Sequence, residues 1–260
     1  MLRKLYIEPT TKCNLNCKMC FRHTWFDEPI CDLSLEDYRR VLETMPKTVE
    51  TVFFGGMGEP LFHKDILQMI RLAAETGAEV ELLTNGTLLT EKMIHGILEA
   101  GLTRLWISID DLETDSSINA AADSKDTDHS GHNHSGLVLS NIRMLNKIRQ
   151  KSLSSISLGI TFVAMKSNVH QLAKLPFFIA QHLVDEVNVS NISAPGRAGE
   201  QNIVIRFPLG GGQFLKINHL VTSFIKAVYH KTDIKTSREP SVQVPGSIIQ
   251  RVLHPDSASS

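Results

Sequence analysis

Cys13-Asn14-Leu15-Asn16-Cys17-Lys18-Met19-Cys20 places three cysteines on one short segment, spaced C-x-x-x-C-x-x-C, close behind the apolar run Leu5-Tyr6-Ile7. Three thiolates on one loop after a strand are suited to three corners of a cubane iron–sulfur cluster. The fourth iron then has no protein ligand, and an open coordination position marks a reactive metal site rather than a structural one. The competing reading is a Cys3His zinc site completed by His23. Structural zinc takes four ligands, and Cys31 is the only other cysteine in the chain. Four cysteines in 260 residues are too sparse for a disulfide framework.

Outward from this loop, short β-rich runs alternate with helical periods. Strands are expected at Leu5–Glu8, Thr51–Phe54, Val80–Thr84, Leu105–Ile109, Ser157–Val163 and Glu186–Val189. Helices are expected at Leu35–Met45 after Ser34, Lys64–Thr76 before Gly77, and Glu91–Ala100 between Thr90 and Gly101. Two more follow, Leu137–Lys151 and Val169–His182. This order predicts an α/β chain of parallel strands with right-handed crossovers. Six units are too few to close an eight-stranded barrel, so an open, partial barrel over residues 1–196 is expected. Residues 197–260 lose the alternation and are expected to be a poorly defined C-terminal region. Gly210-Gly211-Gly212 there reads as loop, Leu215–Tyr229 as one helix, and Ser237–Ser260 as a tail without periodicity.

In barrels of this kind, sites sit on loops at the C-terminal ends of strands. Every chemically suggestive motif falls there. The cysteine loop follows the first strand. Gly55-Gly56-Met57-Gly58-Glu59-Pro60 follows the second. Its glycines allow close backbone approach to a ligand, and backbone carbonyls with Glu59 suit an ammonium group. Thr84-Asn85-Gly86 ends the third strand, and Asn85 joins the candidate cofactor-binding set. Ser108 and Asp110 alternate near the end of the fourth, so they share one face and suit ribose hydroxyls.

Taken together, Cys13-x-x-x-Cys17-x-x-Cys20 and Gly55–Pro60 resemble the radical S-adenosylmethionine (SAM) superfamily. The resemblance implies a partial (βα)6 barrel. Cys13, Cys17 and Cys20 would hold a [4Fe–4S] cluster whose open iron binds the amino and carboxylate groups of SAM. The glycine-rich segment would contact that amino group, and Ser108 and Asp110 would face the ribose. It also implies reductive cleavage of SAM to a 5′-deoxyadenosyl radical, with electrons from a donor such as ferredoxin or flavodoxin. Four segments, at 20–29, 50–63, 81–89 and 163–172, further resemble radical SAM proteins associated with tungsten-dependent aldehyde ferredoxin oxidoreductases. That similarity spans roughly residues 3 to 192 and implies a maturase with a tungsten-enzyme partner. A radical SAM peptide-modifying enzyme is the second reading, and a cluster-binding protein without SAM turnover is the third.

Three departures qualify these expectations. Met19 stands where relatives often carry an aromatic. Ser116–Gly136 offers Lys125 but no arginine to help hold SAM. No cysteine follows Cys31, so no auxiliary cluster is expected, and SAM cleavage uncoupled from substrate is. The region beyond Arg197 reads as a truncated or altered continuation. His129, His132 and His134 lie in a polar stretch read as a solvated loop rather than a metal site. A net charge of -1 gives no electrostatic case for nucleic acid or anionic membrane. No apolar run is long enough to span a bilayer, and the first residues lack a signal-peptide core, so a cytoplasmic location is expected.

Overall fold

The computed structural model describes residues 2–17, 20, 22, 29–112, 134–152, 155–165, 168–191 and 203–206. Six parallel strands lie side by side in chain order: β1 (Lys4–Ile7), β2 (Thr51–Phe54), β3 (Glu79–Thr84), β4 (Arg104–Ile109), β5 (Ser157–Ala164) and β6 (Glu186–Asn191). Between them run α1 (Leu35–Glu43), α2 (Ile66–Glu75), α3 (Glu91–Glu99), α4 (Ser135–Ser152) and α5 (Leu175–His182). The expected βα alternation is present. Ser34 and Thr90 cap α1 and α3, their hydroxyls accepting from the Asp37 and Met93 amides. Gly77 and Gly101 follow α2 and α3 at positive φ, where a side chain would be strained.

Two elements differ from expectation. The stretch Val169–His182 is not one helix: a 3-10 segment, Val169–Lys174, precedes α5. Pro176 stands in the first turn of α5, where its missing N–H costs nothing, and so fixes the start of the α-helix there. A seventh strand, β7 (Ile203–Arg206), adds antiparallel to β6. It falls in the region expected to be poorly defined, and four residues are too short a run to give a periodic signal. Met19, His23, His129, His132 and the residues after Arg206 lie outside the described residues.

The sheet has two different faces. Val52, Phe54, Val80, Leu82, Leu105, Ile107, Leu158, Ile160, Phe162 and Val187 form one apolar core with the helices. The other face carries Lys4, Glu81, Arg104, Trp106, Ser108 and Glu186. Here Lys4 Nζ pairs with Glu81 at 2.8 Å, Arg104 pairs with the other Glu81 oxygen, and Arg104 Nε lies 3.1 Å from Glu186. The Trp106 indole donates to Glu81 at 3.3 Å and lies against Gly159, where a Cβ would come within 2.2 Å of the ring. Lys4 and Glu81 stand two strands apart, as do Arg104 and Glu186. Adjacent strands are ~5 Å apart, so these contacts take long side chains that lean toward one another across the concave, inner face of the partial barrel. Charged residues thus form a buried floor at the N-terminal end of that face, leaving the C-terminal end for ligands.

This floor makes a testable demand. Burial pushes the Glu81 carboxyl up, but Lys4, Arg104 and Trp106 together hold it below its ordinary value of 4.5. Its stabilisation is therefore complete above that value and lost as pH falls through the lowered one. Glu81→Leu leaves Arg104 and Lys4 without their shared partner and costs about 3 kcal/mol at pH 7. Guanidinium unfolding of cluster-free protein checks this. The gap between native and variant narrows as the pH drops below 4.5, and a pH-independent gap contradicts the assignment.

Candidate functional site

The cysteine loop grows from a stem built beside the end of β1. Residues 9–11 run antiparallel to residues 31–33, with Thr11 N donating to Cys31 O at 3.0 Å and Leu33 N to Pro9 O at 2.8 Å. The Thr10 hydroxyl donates to Asp32 at 2.6 Å, and Lys12 pairs with the same carboxylate at 2.7 Å. His63, buried beneath, accepts the Asp65 amide at Nδ1, which leaves its hydrogen on Nε2 facing Leu33 O at 3.1 Å. The loop after β2 then locks onto this stem. Glu59 N donates to Lys12 O at 2.8 Å. A Cβ on Gly58 would stand 1.9 Å from Thr10 O and 2.7 Å from Lys12 O. Glycine is the only residue that permits this backbone approach.

Cys13, Cys17 and Cys20 are partly buried free thiols. The Leu15 amide donates to Cys13 Sγ at 3.4 Å, Cys20 N donates to Cys17 O at 3.0 Å, and Arg22 donates to Leu15 O at 2.8 Å. Burial pushes the Cys13 thiol up, opposed by the Leu15 amide and Arg22 and reinforced by Glu59 and Cys20. Cys17 is pushed up by burial first, then by Asp110, Cys13 and Cys20. The three sulfurs therefore lie within electrostatic reach of one another. No trio of His, Cys, Asp or Glu among the described residues converges tightly enough for one metal ion. A cubane gives each thiolate its own iron and needs a wider triangle, which suits three cysteines spread along a loop. Cys31 is exposed, and its backbone rather than its thiol is built into the stem.

The segment Gly55–Pro60 divides its work differently from the sequence-based expectation. Glu59 is 2% exposed. Its carboxylate accepts from Leu61 N at 3.0 Å, the Thr84 hydroxyl at 2.7 Å and Asn85 N at 2.8 Å. Burial pushes this carboxyl up, and those three donors oppose the rise. It is an internal tie between the β2 and β3 loops, not a group open to an ammonium. Pro60 is buried at the start of a 3-10 turn. The accessible carboxylate is Glu8, just past β1, which sequence reasoning did not single out. It accepts the Met57 amide and lies where a Cβ on Gly56, at φ 140°, would collide with it. Gly55 donates to Ile7 O at 3.0 Å. The signal available for Glu8 was its two-residue spacing from Lys4 and Tyr6 on the concave face of β1.

Asn85 sits between loops. Its Oδ1 accepts from Thr87 N at 2.9 Å and Thr87 Oγ1 at 2.6 Å, and its Nδ2 donates to Asn14 Oδ1 at 3.0 Å. Ser108 follows Trp106 by two residues on β4 and so shares its concave face, and Asp110 lies just past the end of the strand. Asp110 lies near enough to Cys17 to disfavour its thiolate. Asn168, the residue before the 3-10 segment, spends its side chain on the β4 and β5 loops. Nδ2 donates to Asp110 O at 2.8 Å and Val163 O at 3.0 Å, and Oδ1 accepts from Met165 N at 2.7 Å. The cysteine loop, Glu8, Asn85 and Asp110 thus gather at one rim, the C-terminal ends of β1 to β4.

A model of the radical SAM superfamily matches residues 7–163. The chain belongs to the radical SAM superfamily. Radical SAM proteins use a [4Fe–4S] cluster and SAM, and the rim offers both a three-thiol loop and polar groups for the second. The chain is 32% identical over 194 residues to a tungsten-containing aldehyde ferredoxin oxidoreductase cofactor-modifying protein of Pyrococcus furiosus, covering 74% of this chain and 52% of that one. It is 25% identical over 246 residues to a 7,8-dihydro-6-hydroxymethylpterin dimethyltransferase of Methanocaldococcus jannaschii, covering 92% and 44%. The chain therefore spans about half the length of these curated relatives. Among solved structures, SuiB of Streptococcus suis bound to SAM superposes with a TM-score of 0.59 at 19% identity, covering 88% of this chain and 48% of that one. That likeness concerns the fold. No helix among the described residues is long and apolar enough to cross a membrane.

The stem can be probed without touching a thiol. Gly58→Ala drives a methyl into Thr10 O and Lys12 O, so it should destabilise by about 1–3 kcal/mol and lower cluster content. Gly77→Ala places its methyl in open space at φ 83° and should cost about 1 kcal/mol while leaving cluster content unchanged. Iron and sulfide per chain after anaerobic reconstitution, with a thermal melt, distinguish the two. Equal cluster content in both variants contradicts the role given to the stem.

Proposed function

We propose that Cys13, Cys17 and Cys20 ligate the cluster, and that the chain is a radical SAM enzyme acting in maturation of a tungsten-cofactor oxidoreductase. The observation that carries this reading is the gathering at one rim of the three-thiol loop, the Gly55–Gly58 backbone and Asp110, in a chain similar over 74% of its length to a tungsten-oxidoreductase cofactor-modifying protein. The chemistry supplied by the bound pair is one-electron reductive cleavage of SAM, which gives methionine and a 5′-deoxyadenosyl radical. Glu8, beside Gly56, offers a solvent-facing carboxylate to the ammonium of SAM, together with the Gly55 and Gly56 carbonyls. Ser108 and Asp110 face the ribose hydroxyls. The Lys4–Glu81–Arg104–Glu186 floor with Trp106 fills the far end of the concave face. A ferredoxin or flavodoxin supplies the electron, and the tungsten enzyme or its cofactor precursor supplies the hydrogen-bearing substrate.

Anaerobic reconstitution followed by addition of SAM and dithionite tests this. Native protein should bind four irons and form 5′-deoxyadenosine. Alanine at Cys13, Cys17 or Cys20 should abolish both, and Cys31→Ala should abolish neither. Asp110→Ala should keep its cluster and bind SAM at least about tenfold more weakly, because a hydrogen bond to a charged group is worth about 1.5–3 kcal/mol. Adding the tungsten oxidoreductase should accelerate 5′-deoxyadenosine formation. Slow formation that ignores this partner would match the expectation of uncoupled turnover and contradict the maturation role, while leaving SAM cleavage intact.

A further inference from the structure

The loop after β3 reaches the cysteine loop through side chains alone. Asn85 Nδ2 lies 4.0 Å from Cys13 Sγ and 3.0 Å from Asn14 Oδ1. The orientation of this amide is not a free choice. Its Oδ1 accepts the Thr87 backbone N–H at 2.9 Å, and a backbone N–H can only donate. The opposite atom must therefore be the NH2 group. The ring of contacts agrees: the Thr87 hydroxyl donates to Asn85 Oδ1 at 2.6 Å and accepts from Asn14 Nδ2 at 2.8 Å. One of the two Nδ2 hydrogens serves Asn14, and the other points toward Cys13. The Asn85 backbone is equally held, its N–H bonded to the buried Glu59 carboxylate at 2.8 Å.

Cys13 thus receives two N–H groups, from Leu15 at 3.4 Å and from Asn85 at the long end of an N–H···S contact. We infer that Asn85 is a positioning residue for the cluster itself, donating to the Cys13 thiolate and raising the cluster's reduction potential. This inference rests on Cys13 being a cluster ligand. Reduction adds one electron and draws more negative charge onto the sulfurs. A donor aimed at a ligand sulfur therefore stabilises the reduced form more than the oxidised one. SAM cleavage needs a strongly reducing cluster that a cellular donor can still reduce, and this bond sets where between those limits the cluster lies.

The test is an EPR-monitored titration of reconstituted, SAM-free protein with dithionite and mediators, so that any contact of Asn85 with SAM plays no part. Asn85→Asp keeps the acceptor for Thr87 N–H and turns an anionic oxygen toward Cys13. Its midpoint should fall, with iron content unchanged. Asn85→Ala, which introduces no charge, should fall by less, with the ratio of reduced to oxidised cluster at fixed potential dropping about three- to tenfold, or about 30–59 mV for one electron. It also serves if the Asp variant does not assemble a cluster. Asn14→Ala leaves the Asn85 amide its hold on Thr87 and should leave the midpoint unchanged. Native-like midpoints in both Asn85 variants overturn the inference, as does an equal fall in Asn14→Ala, which would assign the effect to loop geometry. A Cys13→Ala protein that kept its four irons would instead sink the ligand assignment beneath it.

Discussion

The site hangs on one buried carboxylate. Glu59 is nine-tenths of the way from solvent to core and more, yet it carries three donors on its two oxygens and gives its own N–H to Lys12 O. Burying an unpaired carboxylate is prohibitive, whereas a carboxylate met by several N–H and O–H groups is a rigid joint. Through this joint the β2 loop is fastened to the stem of the cysteine loop on one side and to Thr84 and Asn85 on the other. Gly58 makes the joint possible by letting two backbones touch. Remove either residue and the thiols lose the frame that spaces them, although neither residue touches a thiol.

Much of the frame was legible in the sequence. Val80–Thr84 and Leu105–Ile109 are mostly apolar runs of strand length, and both strands begin within one residue of the expectation. Ser34 and Thr90 announce helices because a short side chain with an acceptor oxygen satisfies the free amides of a first turn. The cysteine spacing is legible for a similar reason, since ligand type and spacing are properties of a chain segment. Depth is a different matter. Glu8 and Glu59 are both acidic residues next to strand ends, and only packing says that one faces solvent while the other is sealed beneath Thr84. The pattern Lys4, Glu81, Arg104, Glu186 suggests a solvated face until curvature brings alternate strands together. The role of Asn85 depends on its meeting Cys13, a neighbour distant in sequence that only the fold brings near.

The concave face divides along the strand direction. Its N-terminal end is filled by ion pairs and an indole. Its C-terminal rim carries the thiols, the exposed Glu8 carboxylate, and Ser108 and Asp110 at the end of β4. This polarity follows from parallel strands, whose loops at one end are free of the packing that fixes the other. β7 continues the sheet beyond β6 and so lies at the edge opposite the cysteine loop. The rim that carries the thiols is therefore framed by β1 to β4.

If Cys13, Cys17 and Cys20 hold the cluster, three thiols on one loop leave one iron free for SAM. Electron–nuclear double resonance on the reduced cluster, with SAM labelled by 15N at the amino group and 17O at the carboxylate, measures this contact directly. Hyperfine coupling from both labels to the cluster, retained in Cys31→Ala, is the predicted result. A four-iron cluster that binds labelled SAM without coupling to either nucleus would contradict the claim.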